Sequence, residues 1–293
     1  MKVLVIGASG LVGGQCFRLF SAQPGFRVAG SYFSFPLAGL SCIDTLRAHA
    51  LFRWADENFV PDLILQCGAL THVDYCESHP EESFQKTVVA HRHVLEFSRQ
   101  CGAKVVLFSS DYVFDGRSGP YVETDPVNPL SVYGKHKRLT EEETLAHSSR
   151  HLVLRITNVY GREVRGKNFV ARILDQIQKA SHIHLRLPVD QYSTPVDAAD
   201  VAAATLMLVR AGQAGLFHIA GTDFMNRVEL ALTVLRTLNY ERYTLEALPT
   251  QALGQAAPRP LLGGLIAQAF KNLFPEFAFG TVRTFVEGWK KSE

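Results

Sequence analysis

Residues Lys2–Gly13 read KVLVIGASGLVG, and the order of these twelve residues decides the fold. Lys2–Ile6 is a short apolar run closed by glycine, the pattern of a buried parallel strand. Gly7, Gly10 and Gly13 follow at G-x-x-G-x-x-G spacing and open a helix near Leu11. A strand, a glycine turn and a helix N-terminus together form a phosphate cradle. Glycine lets the backbone come close, and the unpaired N–H groups of the first helical turn face the anion. A glycine pattern alone is weak, but placed directly after a strand it gains weight. The competing reading is a tight turn with no ligand.

Working outward, the chain alternates strands with helical stretches. Strands are expected at Arg27–Phe33, Pro61–Cys67, Lys104–Ser109, residues 151–156 and Gly215–Ala220. Helices are expected at Pro80–Gln100, Asn168–Ala180, Asp197–Val209 and Asn226–Leu238. Alternation of this kind indicates an α/β fold, a Rossmann-type doubly wound parallel sheet. The dinucleotide-binding domain is expected at residues 1–157, with 196–220 rejoining it. Residues 158–195 and 221–293 are expected to form a smaller, mostly helical C-terminal substrate domain. Small residues at Gly68 and Ala69, past the third strand, would allow close approach of a cofactor in the crevice beyond the strand ends. No Asp or Glu stands at the end of the second strand, where NAD-specific sites place one. That leans the cofactor toward NADPH, with NADH possible, and Ser31 and Ser34 are the available 2′-phosphate partners.

Composition excludes several classes. With 47% hydrophobic and 20% charged residues the chain is globular, and a net charge of +2 without a basic run argues against nucleic acid. No apolar stretch approaches the ~20 residues of a membrane span. The N-terminus carries no secretory pattern, and five cysteines lack any C-x-x-C pair. Reduced thiols in a cytoplasmic protein without structural metal are therefore expected. His72, Asp74 and Glu77 match no ligand spacing and read as solvated residues at a helix start. His91 and His93 read as packing or surface residues. A homodimer is the expectation from base rates.

The chemistry concentrates in Ser109–Lys137, SSDYVFDGRSGPYVETDPVNPLSVYGKHK. Tyr133 and Lys137 stand four apart, on one face of a helix. An ammonium held near a phenol lowers its pKa, and such a phenol can exchange a proton with a carbonyl or alcohol. Ser110, upstream, can hydrogen-bond the same oxygen. A Tyr-x-x-x-Lys pair alone is more often a surface tyrosine beside a solvated lysine.

The combination of GASGLVG (7–13), CGALTHVDYCE (67–77), SSDYVFDG (109–116), VYGKHK (132–137), LRITNVYG (154–161) and DQYSTPVDAADVA (190–202) resembles the extended short-chain dehydrogenase/reductase superfamily. Within it the chain is similar to the dTDP-4-dehydrorhamnose reductase branch of sugar-nucleotide reductases. The resemblance implies Ser110, Tyr133 and Lys137 as catalytic residues. It implies Gly7, Ser9, Gly10, Leu11, Val12 and Gly13 around the pyrophosphate, and Cys67, Gly68 and Ala69 along the rest of the cofactor. It implies Asp111, Val113, Asn158, Asp190, Gln191 and Arg259 as substrate contacts, with Arg155 also on the path toward the substrate. The implied activity is NADP(H)-dependent reduction of a nucleotide-linked 4-keto-6-deoxysugar, a nucleotide-diphosphate sugar. Two alternatives stand beside it: an NAD-dependent epimerase or dehydratase, and a non-catalytic NADP-binding regulatory subunit like the methionine adenosyltransferase β subunit.

Two departures accompany the resemblance. Thr87 stands in Lys86-Thr87-Val88 where the family usually has asparagine. The stretch Arg259-Pro260-Leu261-Leu262-Gly263-Gly264-Leu265 lacks the family's usual hydroxyl residue. Gly263-Gly264 and the prolines before them suggest a loop able to close over substrate.

Overall fold

The computed structural model describes residues 1–290 of the chain. The apolar run of β1 (Lys2–Ile6) lies inside a seven-stranded sheet, with a strand along each edge and an apolar cluster on each face. In chain order there follow α1 (Leu11–Ser21), β2 (Arg27–Tyr32), β3 (Ser41–Cys42), α2 (Ala50–Glu57) and β4 (Leu63–Gln66). Next come α3 (Val73–Ser78), α4 (Pro80–Phe84), a π-turn (Gln85–Val89), α5 (Ala90–Cys101) and β5 (Lys104–Ser110). Then come α6 (Val132–His147), β6 (Leu152–Ile156), β7 (Val159–Tyr160), α7 (Phe169–Lys179), β8 (Ile183–Pro188), β9 (Tyr192–Ser193), β10 (Val196–Asp197), α8 (Ala198–Arg210) and β11 (Gly215–Ile219). The chain closes with β12 (Met225–Asn226), α9 (Arg227–Thr237), β13 (Tyr243–Leu248), α10 (Gln268–Leu273) and α11 (Val282–Lys290).

The sheet runs β3-β2-β1-β4-β5-β6-β11 and every pairing in it is parallel. This is the doubly wound Rossmann-type order with one strand added. Strand order reverses between β1 and β4, so the crevice beyond their carboxyl ends is the topological switch point. One apolar cluster fills the face under α1 and α8, and a second fills the face under α2 and α5. A third, separate cluster joins α7, β8, α9 and α11 around Tyr160. There β8 and β13 pair as a parallel two-stranded ribbon. Strand β11 rejoins the main sheet beside β6, as its sequence pattern implies.

The helix expected over Pro80–Gln100 is not continuous. The turn over Gln85–Val89 is a π-turn, with the Ala90 N–H donating to the Gln85 carbonyl. The β-branched run Thr87-Val88-Val89, of reduced helix propensity, lies within this turn. The loop expected to close over substrate is instead stitched down. Gly119 N–H donates to Leu262 O, Leu262 N–H to Gly116 O, and Tyr192 N–H to Leu261 O. His72 caps α3 by accepting from Tyr75 N–H at 3.0 Å. Asp74 and Glu77 are not merely solvated. Asp74 pairs with Arg259 at 2.6 Å, and Glu77 accepts from Val132 N–H at 2.9 Å, at the start of α6. Among the described residues no helix is long and apolar enough to cross a membrane, and no group of three acidic, histidine or cysteine side chains is placed for a metal.

Three histidines are buried in the sheet and its helices: His91 against Thr144 (2.7 Å), His151 beside His147, and His218 between Arg155 and the Tyr121 carbonyl. Burial, first among the causes, pushes them down to about 3, about 4 and about 3. Each therefore binds a proton more readily in the unfolded chain. Their contribution to stability is complete above about pH 6.5 and declines as pH falls from there toward the folded values, by roughly 2 kcal/mol per histidine at pH 5. Urea unfolding at pH 7 and pH 5 checks this. His91→Gln is expected to show a smaller pH-dependent loss than the parent, and equal losses would contradict the assignment.

Candidate functional site

The glycine turn after β1 is shaped by close backbone contact. Gly7 has φ +81°, and a Cβ there would lie 2.9 Å from Gly68 N. A Cβ on Gly13 would lie 2.2 Å from the Gly7 carbonyl oxygen, so α1 can only start where it does with glycine at that position. The first turn of α1 has no side-chain cap, which leaves its N–H groups directed at the crevice. These residues fit the diphosphate of a dinucleotide: the cradle is bare of side chains and faces the cleft with donors.

The cleft itself holds about 640 Å³. Gly7, Ser9, Gly10, Leu11, Val12 and Gly13 form its floor, with Ser31 at one end and Cys67, Gly68 and Ala69 beyond the switch point. Ser110, Asp111, Tyr133, Lys137 and Asn158 line the other end. The structure thus brings together every candidate cofactor residue and the three candidate catalytic side chains.

Four substrate candidates lie elsewhere. Val113 is fully buried against Phe114, Tyr121 and Leu265, because the turn after β5 points its apolar residue into a small core. Asp190 accepts from Thr250 N–H (3.0 Å) and from the Thr250 hydroxyl (2.6 Å). Gln191 donates to Thr250 and Gln255. Both therefore anchor the segment after β13 and do not line the cleft. Arg259 is held by Asp74, with its guanidinium 6.0 Å from the Tyr112 ring centroid. It does not line the cleft, although Tyr112 does. Asp111 does reach the cleft, but it accepts from Thr157 (2.6 Å), Ser110 (3.2 Å) and Gly264 N–H (3.4 Å). Arg155, too, is turned away, into the ion pair described next.

Helix α6 carries Tyr133, Lys137 and Glu141 at i, i+4 and i+8. Ser131 caps it by accepting from Gly134 N–H at 3.2 Å. A Cβ on Gly134 would lie 2.2 Å from Tyr112 O, so glycine lets the helix start against the turn after β5. Tyr133 meets Tyr112 edge to face, with ring centroids 5.6 Å apart. Lys137 is 5% exposed and donates to the Phe108 carbonyl of β5 at 2.9 Å. Glu141, 0% exposed, receives Arg155 of β6 in a two-pronged pair at 2.9 and 2.8 Å.

The expectation that Lys137 draws down the Tyr133 phenol is corrected. Burial pushes the phenol well up, Ser110 beside it opposes the rise, and the nearby Asp111 adds to it. The lysine nitrogen sits 6.0 Å from the tyrosine ring centroid and spends a proton on β5. In the free protein Tyr133 is therefore a protonated phenol, the form that can donate to an oxygen. Burial lowers Lys137 to about 8, against the pull of Glu141.

Two arginines, Arg172 and Arg227, are what sequence reasoning missed; Arg165 belongs to the basic stretch Arg162, Arg165 and Lys167, which reads in sequence equally as a loop near a diphosphate or as a solvated loop. Arg227, Arg172 and Arg165 line the cleft from α9, α7 and the loop before α7. Arg227 donates to Asn158, whose amide in turn donates to Ser193, and Asn158 adopts φ +39° to serve both. Arg227 was findable in principle: a cation in the first position of a helix opposes the dipole.

A glycine cradle at the switch point, with a Ser, Tyr and Lys trio at its edge, defines the extended short-chain dehydrogenase/reductase superfamily as the class. More narrowly, the RmlD substrate binding domain matches residues 1–280, and the chain belongs to that family. Methionine adenosyltransferase 2 subunit beta of Xenopus laevis is 30% identical over 265 residues, 88% of this chain and 78% of that one. The spore coat polysaccharide biosynthesis protein SpsK of Bacillus subtilis is 28% identical over 272 residues, 92% and 91% of the two chains. The dTDP-4-dehydrorhamnose reductase of Bacillus anthracis, solved with NADP, shares the fold at a TM-score of 0.87. It is 22% identical, over 100% of this chain and 99% of that one.

The buried ammonium predicts a trade between stability and site chemistry. Below pH 8 both folded and unfolded Lys137 carry charge and the burial cost is complete. Between about 8 and 10.5 the unfolded chain holds the proton more readily, so stability rises with pH. Lys137→Met is expected to stabilise the free protein at pH 7 by roughly 2 kcal/mol after the lost hydrogen bond is counted. The gain should shrink at pH 9.5 in denaturant titrations. A gain that ignores pH would show that the ammonium is not its source.

Proposed function

We propose that the chain is an NADP(H)-dependent reductase of a nucleotide-linked 4-keto-6-deoxysugar, with Tyr133 as proton donor. One observation carries this reading: the Tyr133 phenol, the Ser110 hydroxyl and the Lys137 ammonium line the same cleft as the glycine cradle. Gly7, Gly10 and Gly13 would hold the diphosphate of the nicotinamide cofactor, which supplies a hydride when bound. Ser110 donates to the substrate carbonyl oxygen and holds it beside Tyr133. The protonated phenol then delivers its proton to that oxygen as negative charge develops. Lys137, charged below about pH 8, stabilises the phenolate that remains.

The substrate's own diphosphate is assigned to Arg227 and Arg172. Burial, first among the causes, lowers the affinity of Arg227 for its proton, and Arg172 and Arg259 nearby add to that, so a bound dianion is welcome there. Family membership supports the sugar-nucleotide class. Five unpaired cysteines support a cytoplasmic location.

Tyr133→Phe is expected to bind NADP⁺ within twofold of the parent and to lose about 10²–10⁴ in turnover. NADPH oxidation with dTDP-linked 4-keto-6-deoxysugars measures it, and undiminished turnover would refute the proton-donor role. Arg227→Gln is expected to raise KM for the sugar nucleotide at least tenfold with little change in NADP⁺ affinity. A second reading, a non-catalytic NADP-binding subunit, is favoured by the similarity to methionine adenosyltransferase 2 subunit beta. It predicts co-purification with a partner enzyme and no NADPH oxidation on any keto-sugar. Tightly bound NAD surviving purification would instead favour an epimerase or dehydratase.

A further inference from the structure

The carboxyl end of β2 offers two serines and no cation to a ribose 2′-phosphate, yet the fold brings a cation there from 130 residues away in sequence. The loop between β7 and α7 reaches across the cleft, and the Arg165 guanidinium lies over the Phe35 ring, 5.3 Å from its centroid. Phe35 directly follows Ser34, and Ser31, Ser34 and Arg165 all line the cleft. A guanidinium held over a ring by cation–π attraction still has its N–H donors to give to an anion. One of them, Nε, is buried with no hydrogen-bond partner. A buried, charged donor without an acceptor is costly to keep, and an anion is the group that satisfies it.

The loop is built to hold this position. Glu163 Oε1 accepts from Lys167 N–H (2.9 Å), Asn168 N–H (2.7 Å) and the Asn168 amide (2.9 Å), so the carboxylate is tied into the loop's own backbone. The other acidic group at this end of the cleft, Asp44, is paired with Arg47 at 3.3 Å and accepts from Leu46 N–H at 3.1 Å.

We propose that Arg165 reads the 2′-phosphate of NADP(H), assisted by Ser31 and Ser34, so that cofactor choice is made by the loop after β7 and not by the residues following β2. This rests on the dinucleotide reading of the cleft given above. It accounts for how a chain without a basic residue at the end of β2 can prefer the phosphorylated cofactor.

Calorimetric titration of the full chain with NADP⁺, NAD⁺ and adenosine 2′,5′-bisphosphate tests it without reference to catalysis. The parent is expected to bind NADP⁺ at least tenfold more tightly than NAD⁺. Arg165→Ala is expected to weaken NADP⁺ and the bisphosphate at least tenfold and to leave NAD⁺ within twofold, which also shows that the variant is folded. Arg165→Lys should recover part of the loss. If Arg165→Ala weakens both dinucleotides alike, or neither, the assignment to Arg165 is overturned. A parent that binds NAD⁺ but not NADP⁺ overturns it while leaving the dinucleotide site standing. A parent that binds none of the three ligands overturns the dinucleotide reading as well.

Discussion

The Glu141–Arg155 pair is the contact on which the site's geometry depends. A carboxylate with no exposure faces a guanidinium that is itself shielded by the Phe114 ring, 5.0 Å from Cζ, and bonded to His218. Attraction between two such buried charges is largely offset by the loss of their hydration, so the pair adds little net stability. Removing one partner alone costs about 3–5 kcal/mol. What the pair does is hold α6 in register: sliding the helix by one residue would leave two charges buried and unpaired. Lys137 and Tyr133, one and two turns back along the same helix, inherit that register.

Burial also decides the protonation of the site. The same dry surroundings that push the Tyr133 phenol up push the Lys137 ammonium down, since each disfavours its charged form. The free protein therefore rests with a neutral phenol ready to donate and with an ammonium whose charge is precarious. Ligand binding in the cleft changes both by adding a carbonyl acceptor and nearby phosphate charge. The π-turn over Gln85–Val89 lies against this helix and leaves the Thr87 hydroxyl buried without a partner where the family usually has an amide.

Positive charge is arranged along the cleft by elements far apart in the chain. Arg165 comes from the loop after β7, Arg172 from α7 and Arg227 from α9. All three belong to segments that pack around the third apolar cluster or connect to it, so the cluster around Tyr160 sets where the cations stand. Asn158 shows the cost of that arrangement, holding a left-handed backbone so that its amide can reach both Ser193 and Arg227.

Local physics made much of this legible in advance. The run from Lys2 to Gly13 implies a strand, a turn and a helix because only glycine tolerates the contacts at Gly7 and Gly13. The four-residue spacing of Tyr133 and Lys137 puts them on one helix face in any fold. The helices expected to open at Asn168, Asp197 and Asn226 do open there, each residue capping its helix, and capping involves only neighbours within three residues. Other features depend on which distant segments meet. Val113 looked like a substrate contact and is core; Asp190 and Gln191 looked like pocket residues and anchor the segment beyond β13. Arg165 stood in a basic loop that sequence left equally open to a diphosphate or to solvent, and Arg227 showed only an unfavourable place at a helix start; neither sign names the cleft. The sequence by itself determined the cradle and the pairing of phenol with ammonium, because those are short-range geometry. The tertiary structure alone decided the protonation of that pair and the source of the cations, because desolvation and charge act through space and not along the chain.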